Sequence, residues 1–214
     1  LQMGYKWSTV ILGHVSGNIK PHDMNNDSFL DDPMMLQFNL ANRWLYQADN
    51  GVQVRFGVRA LQDSRLGGQM VKNINGYSNF YDKDTYRGGP RPADNLYPWG
   101  SDIMNRSLNG YMKIGIPLSE DNSQNIALVG DYSYQDMDSY FGATKYIADQ
   151  HSLFGNLLYQ NEINESHKFT LGMSATYDRY MEDFRRLVAL QDVSDNGLTQ
   201  MAVGGIFGEY TFHA

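Results

Sequence analysis

Lys168-Phe-Thr-Leu-Gly-Met-Ser-Ala-Thr-Tyr177 alternates apolar and polar side chains without a break. Successive side chains of an extended strand point to opposite faces, so Phe169, Leu171, Met173, Ala175 and Tyr177 share one face. Lys168, Thr170, Gly172, Ser174 and Thr176 share the other, and the strand meets apolar surroundings on one side and water on the other. The alternation recurs in about eight segments of roughly 10 to 14 residues, long for strands of a soluble protein. Val52, Val54, Phe56, Val58 and Ala60 alternate with Gln53, Arg55, Gly57 and Arg59. Leu36, Phe38, Leu40, Trp44 and Tyr46 alternate with Gln37, Asn39, Arg43 and Gln47, and Ile126, Leu128, Gly130, Tyr132 and Tyr134 with Asp131, Ser133 and Gln135. Further strands are predicted near 4–15, 104–117, 151–163 and 201–213.

Arg55 and Arg59 would be costly in a closed soluble core and suit a water-filled lumen. No run approaches the roughly 18 to 20 apolar residues of a transmembrane helix, so a membrane protein of this sequence has to cross with strands. The predicted connections alternate in length. Short turns fall at Ala48 to Gly51, Ser119 to Ser123 and Ile163 to His167, each rich in turn-forming polar residues. Long ones are expected at Ser16 to Pro33, Gln62 to Ile103, Asp136 to Gln150 and Glu182 to Gln200, all on the opposite rim, the asymmetry of outer-membrane barrels. Tyr5, Trp7, Trp44, Tyr46, Tyr159, Tyr177 and Tyr210 lie near strand ends, where amphipathic rings sit at headgroup level. The expectation is an all-β, antiparallel transmembrane barrel wall. The N-terminus, LQMGYKWSTV, is already strand-like, from which a missing natural beginning is expected.

Over 214 residues, 17 Lys and Arg against 24 Asp and Glu give a net charge of -7, which argues against a broad basic surface for nucleic acid. The absence of cysteine rules out disulfides, thiolate metal sites and cysteine nucleophiles. Gly67-Gly68 and Gly88-Gly89-Pro90 lack the context of a phosphate loop, no nucleophile elbow or triad is recognisable, and no enzymatic activity is expected. His14, His22, His151, His167 and His213 show no paired metal spacing. Met104, Met112 and Met173 fall on the apolar strand face, where lipid contact is the simpler role than soft-metal capture.

His22-Asp-Met-Asn-Asn-Asp-Ser-Phe-Leu-Asp-Asp-Pro33, then Asn42-Arg43-Trp44, then Asp63-Ser-Arg-Leu-Gly-Gly-Gln69, resemble the TonB-dependent receptors of Bacteroidetes-type bacteria. Val203-Gly-Gly-Ile-Phe-Gly-Glu-Tyr-Thr-Phe212 resembles a barrel strand of that family, and the resemblance extends over residues 1–214. Among its branches the vitamin-B12 receptors are the most similar, through the aspartate-rich loop. The resemblance implies a barrel of about 22 strands around a plug. It implies the bacterial outer membrane, uptake of a corrinoid, haem, metal chelate or glycan, and partnership with outer-membrane lipid, the TonB complex and a surface lipoprotein. No plug and no TonB box are recognisable, so the chain is expected to be an internal portion of the wall.

Two loops are candidate sites. Asp23, Asn25, Asp27 and Asp31 place oxygen side chains at positions 1, 3, 5 and 9 of a calcium-type loop, with the Phe29 carbonyl at position 7 and Asp32 to spare. Position 6, normally Gly, is Ser28, and position 12 is Met34. The alternative is a solvated acidic turn capping its own backbone. The connection from Gln62 to Ile103 carries Tyr77, Phe80, Tyr81, Tyr86, Tyr97 and Trp99 with Arg87 and Arg91, a set able to close on a flat or anionic ligand by stacking and charge. A loop folded on its own aromatics is the competing expectation. At the level of the whole chain, the alternatives are a complete eight-stranded barrel with an adhesin or structural role, in which Arg43, Arg55, Arg59 and Asp131 would have to pair internally, and a soluble lipocalin-like carrier.

Overall fold

A computed structural model describes residues 2–3, 5–69, 72–73, 76–77, 99–142, 144–188 and 191–213. The described chain is all strand and turn. Its order is β1 (Gln2–Met3), β2 (Trp7–Asn18), β3 (Met34–Gln47), β4 (Gln53–Gly68), β5 (Lys72–Asn73), β6 (Gly76–Tyr77), β7 (Gly100–Pro117), β8 (Gln124–Phe141), β9 (Thr144–Asn164), β10 (His167–Val188) and β11 (Gln191–Phe212). One antiparallel sheet runs β1-β2-β3-β4-β7-β8-β9-β10-β11, while β5 and β6 pair separately. Eight of its strands are long and β1 is a two-residue addition. The first and last strands do not pair, and the sheet is open.

The register carries the alternation of each strand into face-wide rows. Phe56 opposes Trp44 and Met112, Met112 opposes Gly130, Gly130 opposes Gly155, Gly155 opposes Ala175, and Ala175 opposes Gly204. Two residues nearer the short turns the same face shows Trp7, Tyr46, Val54, Ile114, Leu128, Leu157, Met173 and Ile206. Ser8, Arg55, Lys113, Asn156 and Ser174 lie on the opposite face, as do Arg43, Tyr111, Asp131 and Thr176. One face is apolar and the other mainly polar, with Leu45, Val129 and Phe154 among its polar residues.

Nothing in the described chain covers the apolar face. Tyr140 and Ala148 are the only buried hydrophobic residues described, and Met173 and Ile206 keep 55% and 87% of their surface.

All three predicted short turns form. Between β3 and β4 the Ala48 N–H donates to the Val52 carbonyl at 2.8 Å, and Gly51 takes φ +82° where a Cβ would meet Pro117 at 2.9 Å. Between β7 and β8, Leu118 N–H bonds the Gln124 carbonyl at 2.8 Å. Between β9 and β10, the Asn164 side chain accepts the Ser166 N–H at 3.0 Å.

The predicted long connections are correct only in part. The one after β2 spans 19–33, and the one after β4 begins beyond Gly68 and ends before Gly100. Residues 136–141, 144–150, 182–188 and 191–200 are strand: β8 and β9 stay paired to Phe141↔Thr144, and β10 and β11 to Val188↔Gln191. The eight long strands run from 12 to 22 residues rather than 10 to 14. The reason is physical. Ladder hydrogen bonds do not require one greasy face, so a strand continues after its alternation has ended. Beyond Tyr134 both faces of the β8–β9 hairpin carry polar groups, and periodicity no longer marks it.

The β7–β8 turn is set by Asp121, whose carboxylate accepts the Ser123 N–H at 3.0 Å and the Ser123 hydroxyl at 2.8 Å. Its pKa falls from 3.8 to about 2, first through the Ser119 hydroxyl and then through the Ser123 amide and hydroxyl. A folded-state pKa below the unfolded one adds stability that is present above the unfolded value and is lost as pH falls through the folded one. Titration followed by carboxyl NMR is expected to give a midpoint near 2, with the turn loosening between about pH 4 and pH 2. Asp121→Ala is expected to abolish that pH dependence.

Candidate functional site

The rim carrying the long connections holds the acidic loop and Trp99. In the 19–33 loop the Asp23 carboxylate accepts the N–H groups of Asp27 and Ser28 at 3.2 and 3.1 Å. Asn25 Oδ1 also accepts the Asp27 N–H at 3.1 Å, and its amide donates to Asp27 Oδ2 at 2.9 Å. Asp27 Oδ1 accepts the Phe29 N–H at 2.8 Å, and Asp31 Oδ2 that of Met24 at 2.7 Å. The loop is pinned to the end of β4 by a Phe29↔Gln69 bridge and by Leu30 N–H donating to the Gly68 carbonyl at 3.0 Å.

The five candidate ligands are therefore neighbours, with their carboxylates turned to local amides as in the capped acidic turn. Among the described residues no three His, Asp or Glu side chains group as metal ligands. Ser28, where a calcium loop has Gly, adopts φ +69°, the left-handed conformation that Gly takes without strain. The turn forms without its usual residue.

Of the aromatic set, Tyr77 pairs through its backbone with Lys72, and its side chain lies outside the described residues. Phe80, Tyr81, Tyr86, Arg87, Arg91 and Tyr97 also lie outside them. Trp99 is described and half exposed, at 52%. Its backbone exchanges bonds with Gln69, whose N–H donates to the Trp99 carbonyl at 2.8 Å. Its indole lies against Gly142 at the β8–β9 hairpin tip, where φ is +57° and a Cβ would come within 2.8 Å of the ring. That neighbourhood was invisible in the sequence, since Gly142 fell inside a presumed loop.

Sequence reasoning also missed a concavity on the polar face near this rim. Two adjacent rows, Asn105, Met137 and Ala148, and Ser107, Gln135, Gln150 and Tyr180, line a cavity of about 390 Å³ together with Tyr146. The Tyr146 and Tyr180 hydroxyls hydrogen-bond each other, and Tyr146 donates to Glu182 at 3.1 Å. Amide and hydroxyl groups beside two phenol rings can hydrogen-bond and pack against a neutral polar group. Only the period-two register brings these side chains together, from strand extensions the alternation did not reveal.

Lower on the same face, Arg59 Nε donates to Asn39 Oδ1 at 3.3 Å, while Asp131 accepts the Asn109 amide at 3.1 and 3.2 Å. None of Arg43, Arg55 and Arg59 pairs with Asp131, so the internal pairing that a packed eight-stranded barrel requires is not formed. Compared with family models, curated proteins and solved structures, the chain matches none.

Asp23→Ala is expected to cost about 0.5–1.5 kcal/mol of loop stability, because the Ser28 amide loses its acceptor and the Asp27 amide keeps only Asn25. Ser28→Gly is expected to add about 1 kcal/mol by relieving the left-handed strain. Hydrogen exchange at the Asp27 and Ser28 amides, in calcium and in EDTA, measures both. Protection that appears only with calcium would show the carboxylates serving a metal rather than the turn.

Proposed function

We propose that the chain is part of the wall of a bacterial outer-membrane β-barrel of the TonB-dependent receptor kind. Its apolar face meets lipid and its polar face lines the lumen. In this reading the barrel takes up a scarce nutrient such as a corrinoid, haem, metal chelate or glycan, with the plug, the remaining strands, the TonB complex and a surface lipoprotein as partners.

The observation that carries the reading is the banded apolar face. Trp7, Tyr46, Tyr159, Phe169 and Tyr210 edge it toward the short turns, and Tyr132, Tyr134, His151 and Tyr177 edge it toward the long hairpins. From Tyr159 to His151 the strand advances about 27 Å, or about 20 Å of height at a tilt of ~40°, close to the ~25 Å apolar band of such barrels. The rings at both edges have a greasy body and a polar tip suited to an interface.

The open sheet edges agree with this. β11 is apolar on both faces, with Met201 and Val203 on the polar side at 51% and 54% exposure. Unpaired backbone groups along such an edge are intolerable in lipid and call for neighbouring strands. The unpaired arginines favour a wide aqueous lumen over a small barrel packed with side chains.

Tryptophan supplies the test. Of the chain's three, Trp7 and Trp44 lie on the apolar face and Trp99 at the hairpin rim. In vesicles of bromine-labelled phosphatidylcholine, single-tryptophan variants are expected to show strong quenching at Trp7 and Trp44 and little at Trp99. Equal quenching at all three, or a folded monomer in buffer without detergent, would overturn the reading.

A further inference from the structure

We propose that Arg43, Arg55, Arg59 and Lys113 form a binding site on the polar face for a small solute bearing two or more oxyanion groups, phosphate or carboxylate. The inference rests on charge placement on that face and stands apart from whether the other face meets lipid.

Arg55 and Lys113 are direct cross-strand partners, two cations facing each other on β4 and β7. Like charges so placed repel each other. Arg43 opposes Gly57, midway between the β3 positions opposite Arg55 and Arg59, and is thus the diagonal neighbour of both. All four side chains are exposed. Among the described residues none lies within ion-pairing distance of a carboxylate, whereas Arg65, Arg106, Arg179 and Arg185 each reach an aspartate at 2.8 to 3.6 Å. The facing acid, Asp131, lies beyond Tyr111 and is held by Asn109.

The surface between the cations is shaped. A Cβ at Gly57 would come within 2.8 Å of the Tyr111 ring and 3.1 Å of the Arg43 stem. Glycine therefore lets the ring and the stem close over the backbone. Three strands about 4.8 Å apart and four residues of rise make a patch of about 10 by 13 Å. That is too broad for a single monatomic ion and right for several oxygens spread over one solute. Three of the four cations are arginines, whose planar forks take phosphate or carboxylate through paired hydrogen bonds.

The test titrates the folded chain in detergent with inorganic pyrophosphate and, separately, with citrate, using calorimetry at low salt. Saturable binding of either is expected, and the better probe assigns the oxyanion class. Arg55→Gln/Lys113→Gln is expected to weaken it at least tenfold, and Arg43→Gln or Arg59→Gln several-fold each. Arg185→Gln, in the β10–β11 hairpin, is expected to leave it unchanged. No saturable binding of either probe to folded protein, or an equal loss in Arg185→Gln, would overturn the site. The tryptophan quenching pattern is read separately, so failure of the anion site and failure of the membrane reading are distinguishable.

Discussion

The structure depends on the fact that its sheet is one layer thick. A soluble domain buries the apolar face of a sheet against a second sheet or against helices. Here the described residues supply neither, and Leu153, Leu157, Leu171, Met173 and Ile206 stand uncovered in adjoining rows. Full burial of such a side chain is worth about 1.5–3 kcal/mol. About a dozen such side chains, most of them half exposed, forgo roughly 10–18 kcal/mol, as much as the ~5–15 kcal/mol net stability of an ordinary domain. Whatever covers this face dominates the stability of the fold.

That constraint explains why so much of the fold was readable. Where one face is out of water and the other in it, selection writes period two into the sequence. Val54, Phe56, Val58 and Arg55, Arg59 announced their faces correctly, as did the strand centred on Met173. The three short turns were readable for a related reason: they join strands at the edge of the apolar band, where Asn, Asp, Ser and Gly bend the chain back at once. The upper hairpins were not. Asp136, Asp138 and Ser139 in β8, and Asp183 and Asp195 in β10 and β11, look like loop residues because nothing apolar alternates with them for long. Backbone pairing keeps them extended.

The candidate sites were legible to different depths. The oxygen spacing from Asp23 to Asp31 identified a structured loop, since the same residues that could ligate a metal also cap the turn, and spacing cannot separate the two uses. Trp99 was singled out as an aromatic, but its seat against Gly142 depends on a hairpin that the pattern concealed. Of the cation cluster, Arg43, Arg55 and Arg59 stood out in the sequence and Lys113 did not. Its meaning came from register, which turns residues twelve and seventy apart in the chain, Arg43 with Arg55 and Lys113, into neighbours.

The ion pairs at the rim take over the work that alternation does lower down. A slip of one residue between strands sends every side chain to the other face, and within the apolar band that would drive arginine into the greasy side and leucine into the wet one. Beyond the band no such penalty exists, because both faces are wet. Arg106 and Asp136 are cross-strand partners joined at 2.8 Å, and Arg179 reaches Asp149 across the β9–β10 pair at 3.6 Å. Each such exposed pair is worth only about 0.2–1 kcal/mol. A slip of one residue sets Asn105 or Ser107 opposite Asp136 in place of Arg106 and breaks the pair, so even this modest energy discriminates. The long hairpins are thus held in register by charge where hydrophobicity has run out, which keeps the Tyr146–Tyr180–Glu182 group and the Trp99 seat at fixed heights above the apolar band.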